Sequence, residues 1–420
     1  MSLPPEILLH IFNHHLQTSN DNDLITPAQV CRYWRTVALS FPDLWAKVNI
    51  QPFPTMFDLT RTQLHLERSK ATPLSITIND ATPAENITQK TPIIQVLKAI
   101  LSCASRWHSL CLQLPPPVFD HLEQAIASHE SGGMEGCSNL RAASVTSYSG
   151  PAFTASIRQV WMFLHKSPCL EDVYWGATFE RTLDIHFNFY PPLRRVSFHM
   201  SADGELLAIL ALLPTLEEVQ MSNYTVDQSL VNEQPVLHRQ LRKLSVTVAH
   251  DPSSLLSRLN LPSLSTLSIS HIGPASHLPP AALKDFLLQS RCSLCKLSLQ
   301  DLTATGSQLA LYLQDCPFLA LQDLSISSGL LDNDLVSLLS GRSEGNGHAF
   351  APSLARLSLY TVVECTDGEV SEMIRGRFDD GNGVLRAAFV WGAQVGGSEH
   401  PIDIETMTRL YRMGLEGETV

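Results

Sequence analysis

Two kinds of apolar spacing divide the chain. In Leu3 to Leu16 (LPPEILLHIFNHHL), Ile7, Leu8, Ile11 and Phe12 recur at helical spacing behind Pro4 and Pro5, and proline is tolerated in a helix's first turn. A polar stretch, Gln17 to Asp23, interrupts the pattern. A second amphipathic segment runs from about Pro27, with Val30, Cys31, Trp34, Val37 and Ala38 on one stripe, and stops at Ser40 ahead of Pro42. A short turn then sets Leu44 and Trp45 for burial. Residues 1–48 are thus expected to form a compact three-helix unit, too small to have much core of its own and in need of a partner.

From residue 74 onward the spacing changes to a repeat, which has to be recognised before any other fold assignment. A Leu-x-x-Leu-x-Leu-like strand unit begins at Leu140, Leu170, Leu193, Leu216, Leu241, Leu264, Leu294, Leu321, Leu354 and Leu385, at intervals of 23 to 33 residues. Each interval holds one strand and one helix or irregular return. Phe153 to Ser167 and Ala281 to Ser290 have helical periodicity, and prolines such as Pro168, Pro192, Pro214, Pro262 and Pro352 stand just before strands, where they cost no ladder hydrogen bond. Two earlier strands, at Pro73 and Ser109, start the array. Phe57 to Ser69 and Pro92 to Arg106 read as helices, and the Gly-rich stretches at Ser131 to Gly136 and Gly341 to Gly347 as loops.

The repeat resembles leucine-rich repeats in its shorter spacings but is degenerate: Ile272, Leu302, Gly329 and Val362 stand where an Asn or Cys belongs. The expected fold class is α/β, a small all-α three-helix module followed by an irregular leucine-rich-repeat solenoid, a horseshoe with a parallel inner sheet. The expected divisions are 1–48, a helical connector over 49–73, and the solenoid over 74–420.

The N-terminal module resembles the F-box. The features are LPPEIL at the start, IF one turn on, VCRYWRTVA in the second helical segment and LSFPDLW at the close, four elements in order over about a tenth of the chain. The polar insert at Gln17 to Asp23 is the one departure. This resemblance implies a non-catalytic substrate receptor that binds an Skp-type adaptor, and through it a cullin, of the kind expanded in fungi. The adaptor-binding residues it implies are Leu3, Pro4, Pro5, Ile7, Leu8, Ile11, Phe12, Val30, Cys31, Trp34, Leu44 and Trp45. The alternative is a leucine-rich-repeat scaffold or interaction module outside any ligase.

Composition narrows the partners. The chain of 420 residues is 44% hydrophobic and 17% charged, enough to bury a large core. Its 29 basic and 41 acidic side chains leave a net charge of −12, which disfavours nucleic acid. The longest aliphatic run, Leu206 to Leu213, is too short to span a bilayer, and no signal peptide is expected behind Pro4, Pro5 and Glu6. Nine cysteines, mostly in apolar stretches, suit a reducing compartment, cytosol or nucleus. The Asn-x-Thr sequons at Asn86 and Asn223 are then chance matches.

Strand alternation sends Val196 and Phe198 inward and Arg195, Ser197 and His199 onto the open face. Applied to every repeat, it places Ser144, Ser197, Ser245, Ser268, Ser298, Ser325 and Ser358 in one outward column, with Arg195, Glu218, Lys243, Lys296, Asp323 and Arg356 beside it. This column is either a peptide-binding track or simply small polar residues suited to a curved face. Tyr174, Gln220, Tyr360 and Trp391 add contact candidates, so the expected surface for an unknown protein substrate is Tyr174, Arg195, Gln220, Lys243, Lys296, Arg356, Tyr360 and Trp391.

No catalytic, cofactor or metal residues are expected. His10, His14 and His15 lack an acidic partner between them, and Cys292-x-x-Cys295 lacks a second pair. Asp379 to Gly383 lacks the ligands of a calcium loop. Neither a phosphate-binding Gly loop with its Lys nor a Gly-x-Ser-x-Gly elbow is present.

Overall fold

A computed structural model describes residues 3–18, 25–50, 56–80, 91–132, 136–147, 155–176, 192–199, 203–224, 235–248, 252–271, 280–300, 304–314, 316, 318–341, 350–379, 384–393 and 400–419. Asn86, most of the polar insert at Gln17 to Asp23, nearly all of the second Gly-rich stretch and the Asp380 to Gly383 segment lie outside the described residues, as do the side chains of Asn223 and Trp391. The chain divides into two compact units, Met1–His199 and Met200–Val420.

The first unit opens with α1 (Pro5–Thr18), α2 (Ile25–Val30) and α3 (Arg32–Ser40), then a 3-10 turn at Pro42–Trp45. The second amphipathic segment is therefore two helices. Cys31 is extended (φ −157, ψ 171), and its Sγ accepts the Trp34 N–H at 3.4 Å as the N-cap of α3. Leu8, Phe12, Leu16, Ala28, Val37, Ala38, Leu44 and Trp45 form one buried cluster. Leu9, Tyr33, Trp34, Phe41 and Leu64 pack against it, with Trp34 edge-on to Phe12 at 5.4 Å.

Leu64 comes from α4 (Met56–Arg68), outside the expected module, so the small helical unit closes its core with borrowed material. The same helix brackets Trp45, with His65 edge-on at 5.1 Å and the Arg68 guanidinium 4.3 Å above the ring.

A strand not anticipated from the sequence, β1 (Lys47–Ile50), follows directly on Trp45 and pairs with β2 (Leu74–Asn79) in register, Val48 beside Ile76. The sheet of this unit thus begins ahead of the connector helix. It continues through α5 (Thr91–Leu101), β3 (Trp107–Leu114), α6 (Pro116–Ser131), β4 (Ala142–Ser147), α7 (Ala155–Leu164), β5 (Asp172–Gly176) and β6 (Arg195–His199). Among the described residues the strands lie in sequence order and every pair is parallel.

The second unit repeats the scheme with α8 (Asp203–Leu212), β7 (Glu218–Tyr224), β8 (Val236–Leu237), β9 (Lys243–Val248), α9 (Ser253–Leu256), β10 (Leu259–Asn260), β11 (Thr266–His271), α10 (Pro280–Ser290), β12 (Lys296–Gln300), α11 (Gly306–Gln314), β13 (Asp323–Leu331), α12 (Asn333–Ser340), β14 (Arg356–Val363), α13 (Glu369–Asp379), β15 (Ala387–Ala393), α14 (Pro401–Arg412) and β16 (Glu416–Thr419). β8 and β10 form a separate parallel pair; the other strands, β7 to β16, make a parallel sheet in chain order.

Each leading leucine of the repeat, Leu140 through Leu385, is buried two residues ahead of its strand. Inside the strands, burial alternates, as in Leu244, Val246 and Val248 against Lys243, Ser245 and Thr247. A parallel sheet covered on both faces would read as continuous apolar runs. Period-two strands leave one face under the helices and the other at the surface. Arginines tie neighbouring turns together within each unit. Arg106 donates to the Leu66 and Thr72 carbonyls and to Ser69 Oγ. Arg377, buried, donates to the carbonyls of Leu339, Phe350 and Ala351, and burial lowers its pKa to about 10.

Candidate functional site

α1 carries two apolar stripes, because positions four apart stack on one side of a helix. Leu8, Phe12 and Leu16 face the core and are buried. Ile7 and Ile11, also four apart, are 47% and 39% exposed, and Leu3, just ahead of the helix, is 45% exposed. Val30 at the end of α2 is 60% exposed, and Leu39 on α3, absent from the sequence-based set, is exposed as well. Pro4, Pro5 and Cys31 are exposed and Trp34 is half-buried. The Tyr33 hydroxyl donates to the Leu3 carbonyl at 2.9 Å, and Arg35 Nε to the Ala28 carbonyl at 3.0 Å, so α3 fixes the start of α1 and the position of α2.

Four members of the expected partner surface lie elsewhere. Leu8, Phe12, Leu44 and Trp45 are 0 to 2% exposed, inside the core that α4 completes, and their side chains are not available to a second protein. Helical spacing cannot separate an apolar stripe that faces a partner from one that faces the chain's own next helix.

The second surface is the open face of the sheet in the second unit. Pairing registers place Gln220, Ser245, Ser268, Ser298, Ser325, Ser358 and Phe389 side by side in one row. The row before it reads Glu218, Lys243, Thr266, Lys296, Asp323, Arg356 and Ala387. The row after it holds Thr247, Ser270, Gln300, Ser327, Tyr360 and Trp391. Gln220 is exposed and Tyr360 is 43% exposed, whereas Ser298 is buried. Phe389, half-buried at the position other repeats give to serine, was missed; aligning LRAAFV with LARLSL would have found it.

The cations of this face are mostly engaged. Lys243 Nζ lies 3.5 Å from Glu218 and Lys296 Nζ 2.8 Å from Asp323, each on the adjacent strand. In the first unit Arg195 Nε lies 2.9 Å from Asp172, and Tyr174 lies beside Ser197, half-buried, with burial raising the pKa of its hydroxyl. Tyr174 and Arg195 thus belong to the first unit's sheet and the other six expected contacts to the second's.

All nine cysteines are free. Burial is the main cause that pushes the Cys137 thiol up to about 12 and those of Cys292 and Cys365 to about 11, far from the thiolate a nucleophile needs. Cys295 stands just ahead of β12, where its N–H and carbonyl extend the sheet ladder.

Ligand-type atoms of Asp367, His400 and Asp403 all lie within 4.8 Å of one another, a grouping that residues so far apart in sequence do not announce. Their hydrogen bonds are those of helix caps. Asp367 accepts the Ile402 and Asp403 N–H groups at the start of α14, Asp403 accepts the Ser371 N–H in the first turn of α13, and His400 Nδ1 lies 3.1 Å from Asp403. No helix of the described residues is long and apolar enough to cross a membrane.

Compared with known families, residues 1–51 match the F-box-like family. No curated protein matches the chain. An F-box-like domain therefore stands at the N-terminus, over the segment that leaves Leu3, Ile7, Ile11 and Val30 bare.

Proposed function

We propose that this chain is a non-catalytic substrate receptor of an Skp/cullin/F-box ubiquitin ligase. The observation that carries the reading is the F-box-like segment with an apolar stripe its own core leaves uncovered. Exposed apolar groups at this density suit a protein interface, and an Skp-type adaptor is the partner such a domain takes. The contact set is Leu3, Pro4, Pro5, Ile7, Ile11, Val30, Cys31 and Trp34, with Leu39 added.

The repeats from β2 onward act as an irregular leucine-rich-repeat solenoid whose open sheet face holds a protein substrate. One-sided parallel sheets with a leading buried leucine per turn support this reading. The mechanism is proximity: substrate and charged ubiquitin-conjugating enzyme share one assembly, which raises effective concentration without chemistry by this chain. Free thiols suit work in the cytoplasm or nucleus.

Co-expression with an Skp-type adaptor and a cullin tests the proposal. The three should co-purify at equal stoichiometry. An adaptor complex that never takes up a cullin would point instead to a scaffold outside the ligase, and no adaptor binding would sink the proposal.

A further inference from the structure

Among the described residues, Arg356 on the open face of the second unit is a cation in no ion pair. Lys243 and Lys296 are each paired to a carboxylate on the next strand. Arg356 is in register with Asp323, but that carboxylate is held by Lys296 at 2.8 Å, and Ala387 flanks Arg356 on its other side. The Arg356 side chain is exposed and makes no ion pair among the described residues. The next carboxylate in the row, Glu416, is two strands away, about 10 Å at the usual strand spacing. A guanidinium is planar and always charged, the group best shaped to take a carboxylate with two parallel hydrogen bonds.

Two aromatic side chains described on this face, Tyr360 and Phe389, lie on β14 and the neighbouring β15. Tyr360 is exposed on β14, four residues from Arg356, and Phe389 is in register with Ser358 between them. In the earlier strands the matching positions hold Thr247, Ser270, Gln300 and Ser327 beside Ser245, Ser268, Ser298 and Ser325. Arg356 and Tyr360 are about 13 Å apart along the strand, the length of four extended residues. Between them Ser358 and the neighbouring Ser325 are small enough for a backbone to approach and can hydrogen-bond with it.

We infer that Arg356, Ser358, Tyr360 and Phe389 receive an extended protein segment carrying an acidic side chain about four residues from an aromatic or branched apolar one. The inference rests on the reading of the sheet face as the substrate surface. Arg356 takes the carboxylate, and the two aromatics take the apolar side chain. The chain's net charge of −12 does not oppose this, since charges beyond about 8 Å are screened at physiological ionic strength and the local pair decides.

The test uses the full chain with its adaptor and two pools of eight-residue peptides. One pool fixes Glu four residues before Phe or Leu, and the other has Lys in place of that Glu; all other positions are random. Fluorescence anisotropy should show the Glu pool binding about tenfold more tightly, with the order reversed in Arg356→Glu. Ser325→Trp, which fills the small row, should abolish both. Equal binding of the pools, an unchanged order in Arg356→Glu, or no binding of either pool overturns the inference. The receptor reading fails separately, if no cullin co-purifies. If substrates modified by the reconstituted ligase are lost in Ser325→Trp but kept in Arg356→Glu, the receptor reading stands and the acidic segment does not.

Discussion

The indole Nε1–H of Trp45 donates to the main-chain carbonyl of Ala38 at 2.8 Å, with both residues wholly or nearly buried. This bond closes the 3-10 turn onto α3 just where the chain enters β1. His65 and Arg68 of α4 cover the rest of the ring. Trp45→Ala should therefore cost about 3–5 kcal/mol, by opening a cavity and stranding the Ala38 carbonyl. Denaturant unfolding of the full chain, followed by circular dichroism, measures it.

Substitutions on the bare stripe should behave in the opposite way. Ile7→Asp with Ile11→Asp leaves the buried cluster untouched, so stability should fall by about 1 kcal/mol, well short of the Trp45→Ala loss. Adaptor binding should fall by a hundredfold or more if both are anchors. Calorimetric titration with the purified adaptor, beside a thermal melt of each protein, separates the two effects.

Gly306 supplies a sign test. Asp332 caps two helices at once, accepting the Leu335 N–H at 3.0 Å for α12 and the Ser307 N–H at 2.7 Å for α11. A Cβ at position 306 would overlap the Asp332 carboxylate. At the first residue of α11 the helix-propensity gain of Gly306→Ala is small, so the overlap with Asp332 sets the sign. Displacing the shared cap predicts a loss of about 1–2 kcal/mol, matching Asp332→Ala. Equilibrium unfolding of the two variants reads the sign directly.

His165 makes stability pH-dependent. It stacks on Trp175, whose indole N–H points to His165 Nε2 at 3.4 Å, and burial lowers its pKa from 6.5 to about 3. The unfolded chain binds a proton there below about pH 6.5 while the folded chain does not until about pH 3. Its contribution is therefore intact above pH 6.5 and erodes as pH falls toward 3. At pH 4.5 the loss should be about 2–3 kcal/mol relative to pH 7. Comparing urea midpoints at the two pH values for wild type and His165→Phe isolates it, because the variant should lose that part of the slope whatever its absolute stability.

Much of the sheet was legible because a buried leucine stands two residues ahead of β4 to β7, β9 and β11 to β15, so a single residue type marks the position. β1 carries the same alternation in Val48 and Ile50 but has no such leader, and it follows Trp45 too closely to be read apart from the helices. The break at Cys31 was invisible because helical periodicity continues across one extended residue. The inward stripe of α1 packs in a cluster that Leu64, a residue beyond the expected module, also touches, and no local pattern contains that contact. The ion pairs Lys243–Glu218 and Lys296–Asp323 follow once strands are aligned, since opposite charges at the same row of adjacent strands can meet. The grouping of Asp367, His400 and Asp403 joins residues far apart in sequence, which tertiary packing alone brings together.

Equal register on both sides of a strand also sets how a chain of this kind can change over generations. Lys243, Thr266, Lys296, Asp323 and Arg356 all stand level, although the stretches joining their strands differ in length. Insertions and deletions in those connections are absorbed at the helical side and leave the open face in line. A single residue gained inside a strand, by contrast, would turn the serine row inward and the buried leucines out. Lineages descending from such a gene are therefore expected to vary in the lengths between strands while the strands themselves keep theirs, so that new contacts on the face arise by substitution alone.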